Sequence, residues 1–373
     1  MKKILIYGFW GMNNLGDDLL FCEALKKIPA IYELYVFLPP SHNTNINREK
    51  NIESFISIRN FFIIRNRKDI LKKTFYGIYY AGGGLFPSRT FSIKNMLSLY
   101  LLGITSKYKI MNGCGIVPKK ESVFFSYFLK GFNYISVRDC LSKNYVESLG
   151  HKAINCGDLY WGNNQTTENT TKKDKTCLIC LANPFSKEEL SNPVTKLRYA
   201  KFLTDIAEII NTIISKGYVI DFLPFFQLSD EILINDLRVT KDIKGKILIQ
   251  GTDYTIDTID NLFSQYEIGF CMRYHSILLS IKNRLPFLAI NYDFKSEMLL
   301  KEAGLENYGI RYGIRESQFF GEEIDLDVAK MKSILNSIYN NKIEIIEKSI
   351  VYRKQKHESV LQNYNNIFHL LNK

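Results

Sequence analysis

The sequence predicts an α/β protein of two domains, each a mostly parallel sheet with helices on its faces. Three observations lead there. Short apolar runs are followed repeatedly by glycine-rich turns and then by segments of helical period, the pattern of parallel strands joined by crossover helices. A polar stretch with no hydrophobic period, residues 162–174, divides the chain near its middle and reads as a linker. The 373 residues suffice for two domains that each bury their own core.

Taken in order, residues 3–9 read as a strand running into the loop Gly8-Phe9-Trp10-Gly11-Met12-Asn13-Asn14-Leu15-Gly16-Asp17-Asp18, with a helix over 18–27. Residues 76–81 form a strand that leads into Gly82-Gly83-Gly84, and 109–113, 134–137 and 153–156 have the same character. Beyond the linker a second series begins: strand 176–182, a long helix over 194–216, strand 218–223, then 246–250, 268–272 and 286–291. Residues 329–371, rich in Ile, Lys, Glu and Asn at helical spacing, read as helices closing the second domain, with the terminal one free to pack back across to the first. The expected boundaries are 1–165 and 175–373, two Rossmann-like domains facing each other across a cleft.

Composition bounds the function. A hydrophobic fraction of 46% and a charged fraction of 23% are those of a folded globular protein. The formal net charge of +11 favours anionic partners, whether phosphates, nucleic acid or an anionic membrane face. No RNA-binding signature, zinc-finger spacing or long basic run accompanies it, so nucleic acid is not an expected partner. The seven cysteines include one C-x-x-C, Cys177 to Cys180, inside an apolar run. Strand alternation points these two thiols to opposite faces, which favours core cysteines over a redox or metal pair. The His, Cys, Asp and Glu residues show no ligand spacing, so no metal and no cofactor is expected. The amino terminus lacks a signal-peptide core, and no segment offers eighteen uninterrupted apolar residues. A cytoplasmic protein is expected, and the sequons at Asn164 and Asn169 carry no weight without a secretory route.

The segment richest in chemistry is Gly269-Phe270-Cys271-Met272-Arg273-Tyr274-His275-Ser276, where an apolar strand hands over to a helix. In open α/β sheets ligands sit outside the carboxyl ends of the strands. An extended backbone would set Arg273 and His275 on one side, and His275 is the histidine best placed for proton transfer near neutral pH. Its alternative role is a helix cap or packing residue. Arg138-Asp139 follows the strand 134–137. Asp139 has a capping role, whereas the Arg138 guanidinium is either a surface group or a two-pronged ligand for a carboxylate or phosphate. Lys295, just past the strand 286–291, is a further candidate cation. The first loop has neither the G-x-G-x-x-G nor the Gly-Lys-Ser/Thr ending of nucleotide cradles. It reads as a sugar-hydroxyl or structural turn, and Gly82-Gly83-Gly84 and Gly113-Cys114-Gly115 read either as tight turns or as the floor of a shared cleft.

These segments resemble the polysaccharide pyruvyl transferase family, through Asn14-Leu15-Gly16-Asp17, Ala81-Gly82-Gly83-Gly84, Gly113-Cys114-Gly115, Ser136-Val137-Arg138-Asp139, Cys156-Gly157-Asp158, Arg273-Tyr274-His275-Ser276 and Phe294-Lys295. The resemblance implies a fold like that of the B-type glycosyltransferases and transfer of pyruvate from phosphoenolpyruvate to paired hydroxyls of a sugar, leaving a ketal and phosphate. It makes His275 the catalytic residue and Arg138, Arg273 and Lys295 the ligands of phosphoenolpyruvate. Asn14, Gly16, Asp17, Gly83, Gly84 and Asp158 fall in acceptor or cleft loops, with the first domain on the acceptor side and the second on the donor side. The implied acceptor is a repeat unit of a surface or capsular polysaccharide, often carried on a polyprenyl diphosphate lipid, which together with the charge suggests peripheral contact with a membrane. The sequence departs from the family at Ala182-Asn183-Pro184, where many members have an arginine, and at Leu159, where a proline is common. Two other functions remain open at this stage: a glycosyltransferase with a nucleotide-sugar donor on the same fold, and a non-catalytic carbohydrate-binding or scaffold protein.

Overall fold

A computed structural model describes residues 1–38, 48–84, 86–87, 106–117, 123–163, 171–186, 188–313 and 323–373. Most of the expected linker, with both sequons, lies outside the described residues. The chain divides into two compact units, one of Met1–Asn164 with Lys354–Lys373 and one of Gln165–Arg353.

In the first unit the strands are β1 (Lys2–Tyr7), β2 (Tyr32–Phe37), β3 (Phe62–Ile64), β4 (Phe75–Ala81), β5 (Phe86–Pro87), β6 (Ser106–Cys114), β7 (Ile116–Val117), β8 (Tyr134–Val137) and β9 (Ile154–Asn155). Seven of them form one sheet in the order β3-β2-β1-β4-β6-β8-β9, and β5 pairs with β7; every pairing is parallel. Ile4, Leu5 and Ile6 are all fully buried, because a strand inside a parallel sheet is covered on both faces. The order turns back on itself at β1 and β4, the crossing point where such sheets bind ligands.

The second unit repeats the plan with β10 (Thr176–Cys180), β11 (Val219–Phe222), β12 (Lys246–Ile247), β13 (Ile268–Cys271), β14 (Phe287–Asn291) and β15 (Gly309–Arg311). Their order is β12-β11-β10-β13-β14-β15, again all parallel. Its crossing point lies at β10 and β13, so the segment ending in Arg273 emerges there.

The carboxyl end departs from the expected boundary of 175–373. The last helix, Lys342–Leu371, starts in the second unit, but its final residues belong to the first. The reason is a stripe at helical spacing: Val360, Tyr364, Ile367 and Leu371 are all buried, and burial of each apolar side chain contributes about 1.5–3 kcal/mol. Polar ties fix the register. Tyr76 donates to the Leu371 carbonyl at 2.6 Å, Tyr134 donates to Asn363 Oδ1 at 2.9 Å, and Asn363 Nδ2 donates to Asn112 Oδ1 at 2.6 Å.

Strands β2, β3, β5, β7 and β15 are additions to the sequence-based expectation. The other expected strands are present with ends moved by a few residues. The helix expected over 18–27 begins earlier, at Leu15, because the Asn14 side chain accepts from Gly16 N at 3.2 Å and caps it.

Candidate active site

Strand β13 ends at Cys271, Met272 follows, and Arg273 takes the N-cap position of the helix Tyr274–Lys282 with φ −74° and ψ 139°. His275 therefore lies in the first helical turn. This corrects the expectation that strand alternation relates the two residues: the backbone is already helical at Tyr274, so Arg273 stands on the extended cap and His275 within the helix. His275 is 9% exposed, and its ring meets that of Tyr274 edge-on at 5.1 Å between centroids. The Arg273 side chain makes no capping hydrogen bond to this helix, and helix N-terminal N–H groups and dipole favour an anion.

The Arg273 guanidinium is held on several sides. Nε donates to Asp230 Oδ2 at 3.1 Å and Nη2 donates to Asp230 Oδ1. Nη1 donates to the Tyr292 hydroxyl at 3.3 Å, and the Phe226 ring lies 5.9 Å from the guanidinium carbon. Burial alone would push Arg273 down, but Tyr292 and Asp230 outweigh it and raise the pKa above the usual arginine range. Asp230, in the first turn of the helix Gln227–Lys241, is fully buried and was not singled out from the sequence. Lys295, in the helix Phe294–Glu302, is half-buried and stands 3.7 Å from Asp293 Oδ2. The other oxygen of Asp293 accepts from Ser296 N at 3.0 Å and caps that helix.

In the first unit the glycine turns come together at the ends of adjacent strands. Gly82 N donates to Asn112 O and Gly115 N donates to Gly83 O, both at 2.8 Å. Gly82 and Gly83 have φ of +60° and +67°, a region that favours glycine. A Cβ on Gly83 would stand 3.2 Å from Asp17 Oδ1. A Cβ on Gly115 would stand 2.4–2.5 Å from the Arg138 guanidinium. Gly115 thus provides the space Arg138 occupies. Arg138 is nearly fully buried, not a surface group, and its Nε lies 3.4 Å from Asp139 Oδ2. Asp139 meanwhile caps the helix Cys140–Ser148 by accepting from Ser142 N at 2.7 Å.

The remaining loop residues fall into two groups. Asn14 donates to Asp17 Oδ2 at 2.6 Å, so Asn14, Gly16 and Asp17 form one capped helix start, beside Gly83 and followed by Gly84. Asp158 is 1% exposed, and its Oδ1 accepts from Tyr160 N at 3.0 Å. Its carboxylate caps the turn Leu159–Gly162. Neighbouring Asp18 is also buried and accepts from Gly11 N at 2.8 Å. Burial, reinforced by Asp17 and opposed by the Gly11 N–H and Arg48, lifts its pKa to about 7.

The thiols of Cys177 and Cys180 are fully buried on β10, and burial raises both. None of the seven cysteines forms a disulfide. Among the described residues no cluster of His, Cys, Asp or Glu has the form of a metal site, and no helix is long and apolar enough to cross a membrane.

Solved structures of similar fold have low identity to this chain. S. aureus MnaA with UDP aligns over 100% of this chain and 97% of its own at 11% identity and TM-score 0.60. The Methanocaldococcus jannaschii UDP-GlcNAc 2-epimerase, in complex with UDP-GlcNAc and UDP, aligns over 91% and 93% at 13% and 0.52. A ugt transferase from Siraitia grosvenorii in complex with UDP aligns over 100% of both chains at 9% and 0.52. These likenesses establish the fold, that of the B-type glycosyltransferases. No curated protein matches the chain significantly. The family model for polysaccharide pyruvyl transferase, in contrast, matches residues 14–294, from the Asn14 cap to the residue before Lys295, and the chain belongs to the polysaccharide pyruvyl transferase family.

Proposed function

We propose that the protein transfers pyruvate from phosphoenolpyruvate to two hydroxyls of a sugar in a surface or capsular polysaccharide repeat unit. The observation that carries this reading is the β13 turn, where a fixed arginine at the N-cap and a buried histidine begin a helix, in a chain of this family. Phosphoenolpyruvate carries a carboxylate and a phosphate, and Arg138, Arg273 and Lys295 are the cations assigned to them. Protonation of the methylene carbon makes the methyl group and an oxocarbenium-like centre. One sugar hydroxyl adds to the oxocarbenium-like carbon, which bears the carboxylate and the phosphate ester, and the second hydroxyl displaces phosphate from that same carbon. Of the two hydroxyl protons, one balances the proton taken up by carbon and the other leaves with phosphate. His275 is the acid/base for these transfers, and no metal or cofactor takes part.

The acceptor in this reading is a saccharide, with a polyprenyl diphosphate carrier and peripheral membrane contact as its extension. The low-identity likeness to UDP-bound structures supports a second reading, a nucleotide-sugar glycosyltransferase. Incubation with phosphoenolpyruvate and candidate acceptors, followed by mass detection of the pyruvylated product, tests the first reading directly. Tight UDP-sugar binding with no binding of phosphoenolpyruvate would sink it in favour of the second.

A further inference from the structure

We propose that Asp230 is a positioning residue for the donor: it fixes the Arg273 guanidinium in the orientation that meets phosphoenolpyruvate. The inference rests on the pyruvyl-transfer reading above.

Two carboxylate oxygens of a fully buried side chain receive four N–H groups. Oδ1 accepts from Asn183 N at 3.2 Å and from Arg273 Nη2. Oδ2 accepts from Phe226 N at 2.8 Å and from Arg273 Nε at 3.1 Å. The donors come from the loops after β10, β11 and β13, three neighbouring strands in the order β11-β10-β13, so one side chain ties together the strand ends around the crossing point. Tyr292, just past β14, holds the third nitrogen.

An uncharged amide has one acceptor oxygen and could tie only one of the two loop N–H groups, whereas the carboxylate accepts on both oxygens. Burying a carboxylate costs several kcal/mol unless a cation meets it, so the charge has its counterpart in the arginine. The two-pronged contact, the Tyr292 hydroxyl and the Phe226 ring fix the plane of the guanidinium, and the Arg273 side chain is one fifth exposed. A fixed guanidinium recognises a carboxylate or phosphate in two-pronged geometry, which a swinging one does not.

The two possible roles of Asp230 predict opposite signs. If it were only a counter-charge, its removal would leave the site more positive and tighten every anion. If it positions Arg273, its removal weakens phosphoenolpyruvate despite the added positive charge. The test is titration of the full-length protein and Asp230→Asn with phosphoenolpyruvate and separately with inorganic sulfate, alongside the ¹⁵N resonance of Arg273 Nε. Asparagine keeps an acceptor for one of the two loop N–H groups and removes the charge, and the melting temperature of the variant reports the loss of the other tie. The expected result is phosphoenolpyruvate affinity lowered about tenfold or more, sulfate affinity unchanged or increased, and a loss of exchange protection at Arg273 Nε. Equal or tighter phosphoenolpyruvate binding in Asp230→Asn overturns the proposal. A wild-type protein that does not bind phosphoenolpyruvate instead overturns the donor reading itself, so the two failures are separate. Should Asp230→Asn not fold, Tyr292→Phe frees Arg273 Nη1 without touching the loop ties. It is expected to weaken the donor in the same direction by a smaller factor, and wild-type affinity there counts against the proposal.

Discussion

Asp18 and Asp230 each stand fourth in a helix, one in each unit, and each reaches back to a strand-end loop. Asp18 accepts from Gly11 N; Asp230 accepts from Asn183 N and Phe226 N. They differ in the cation. Asp230 is gripped by both prongs of Arg273, whereas Asp18 feels Arg48 only through space. The same burial therefore produces two kinds of group. With a guanidinium in contact the carboxylate is part of a fixed ion pair; without one it becomes an acid that titrates near neutral pH. The second unit uses its buried carboxylate to orient a cation, and the first uses its own to hold a loop.

This contrast is open to attack at several points. If the second unit carries the proton transfer, His275→Gln lowers kcat about 10²–10⁴-fold with an unchanged melting temperature, while Arg138→Gln raises the donor KM more than it lowers kcat. Steady-state kinetics of both variants decide, and an active His275→Gln enzyme would break the contrast.

Asp18 gives a next, somewhat smaller effect. Its folded-state pKa of about 7 lies above the ordinary 3.8. Between those values the folded chain keeps a proton that the unfolded chain has lost, so stability falls as pH rises through this window and is lowest above it. The contribution reaches up to about 4 kcal/mol at 1.36 kcal/mol per pKa unit. Thermal unfolding of Asp18→Asn from pH 4 to pH 8 is expected to show a flatter stability profile than wild type, and identical profiles would remove the distinction from Asp230.

Gly115→Ala puts a methyl group where the Arg138 guanidinium lies, with an expected loss of about 1–3 kcal/mol from overpacking and weaker donor binding. Denaturant unfolding with a phosphoenolpyruvate titration measures both. The smallest effect expected is that of Asp139→Ala, about 1 kcal/mol for a lost helix cap. Because Asp139 is also the neighbour of Arg138, donor affinity should fall with it, and a purely thermal effect would show that Arg138 needs no local carboxylate.

Legibility in the sequence follows the same divide between local and distant pairing. Asp139 as a helix cap beside Arg138 was readable from residue type and position, whereas the Asn14 cap was not, since the helix expected from Asp18 begins at Leu15. His275 was readable as well, since a strand-to-helix turn is written in its own residues. Asp230 lies 43 residues from Arg273, and in Gln227-Leu228-Ser229-Asp230 nothing distinguishes it from a helix-start acid on the surface. The packing of Arg138 over Gly115 is equally silent, because it depends on strands β6 and β8 being neighbours. The one usable signal for Asp230 was its place in the first turn of the helix that follows β11, the strand beside the crossing point. Strands β3 and β15, of three residues each, are too short to show a period.

The last helix has a consequence for synthesis and handling of the chain. The first unit is discontinuous: its sheet is made early, but Asn363, Tyr364, Ile367 and Leu371 arrive only with the final residues. On the ribosome, residues 165–353 are complete before the first sheet can be covered by that helix. A stop codon or bulky fusion near residue 354 therefore strikes the amino-terminal unit, the one farthest from it in sequence.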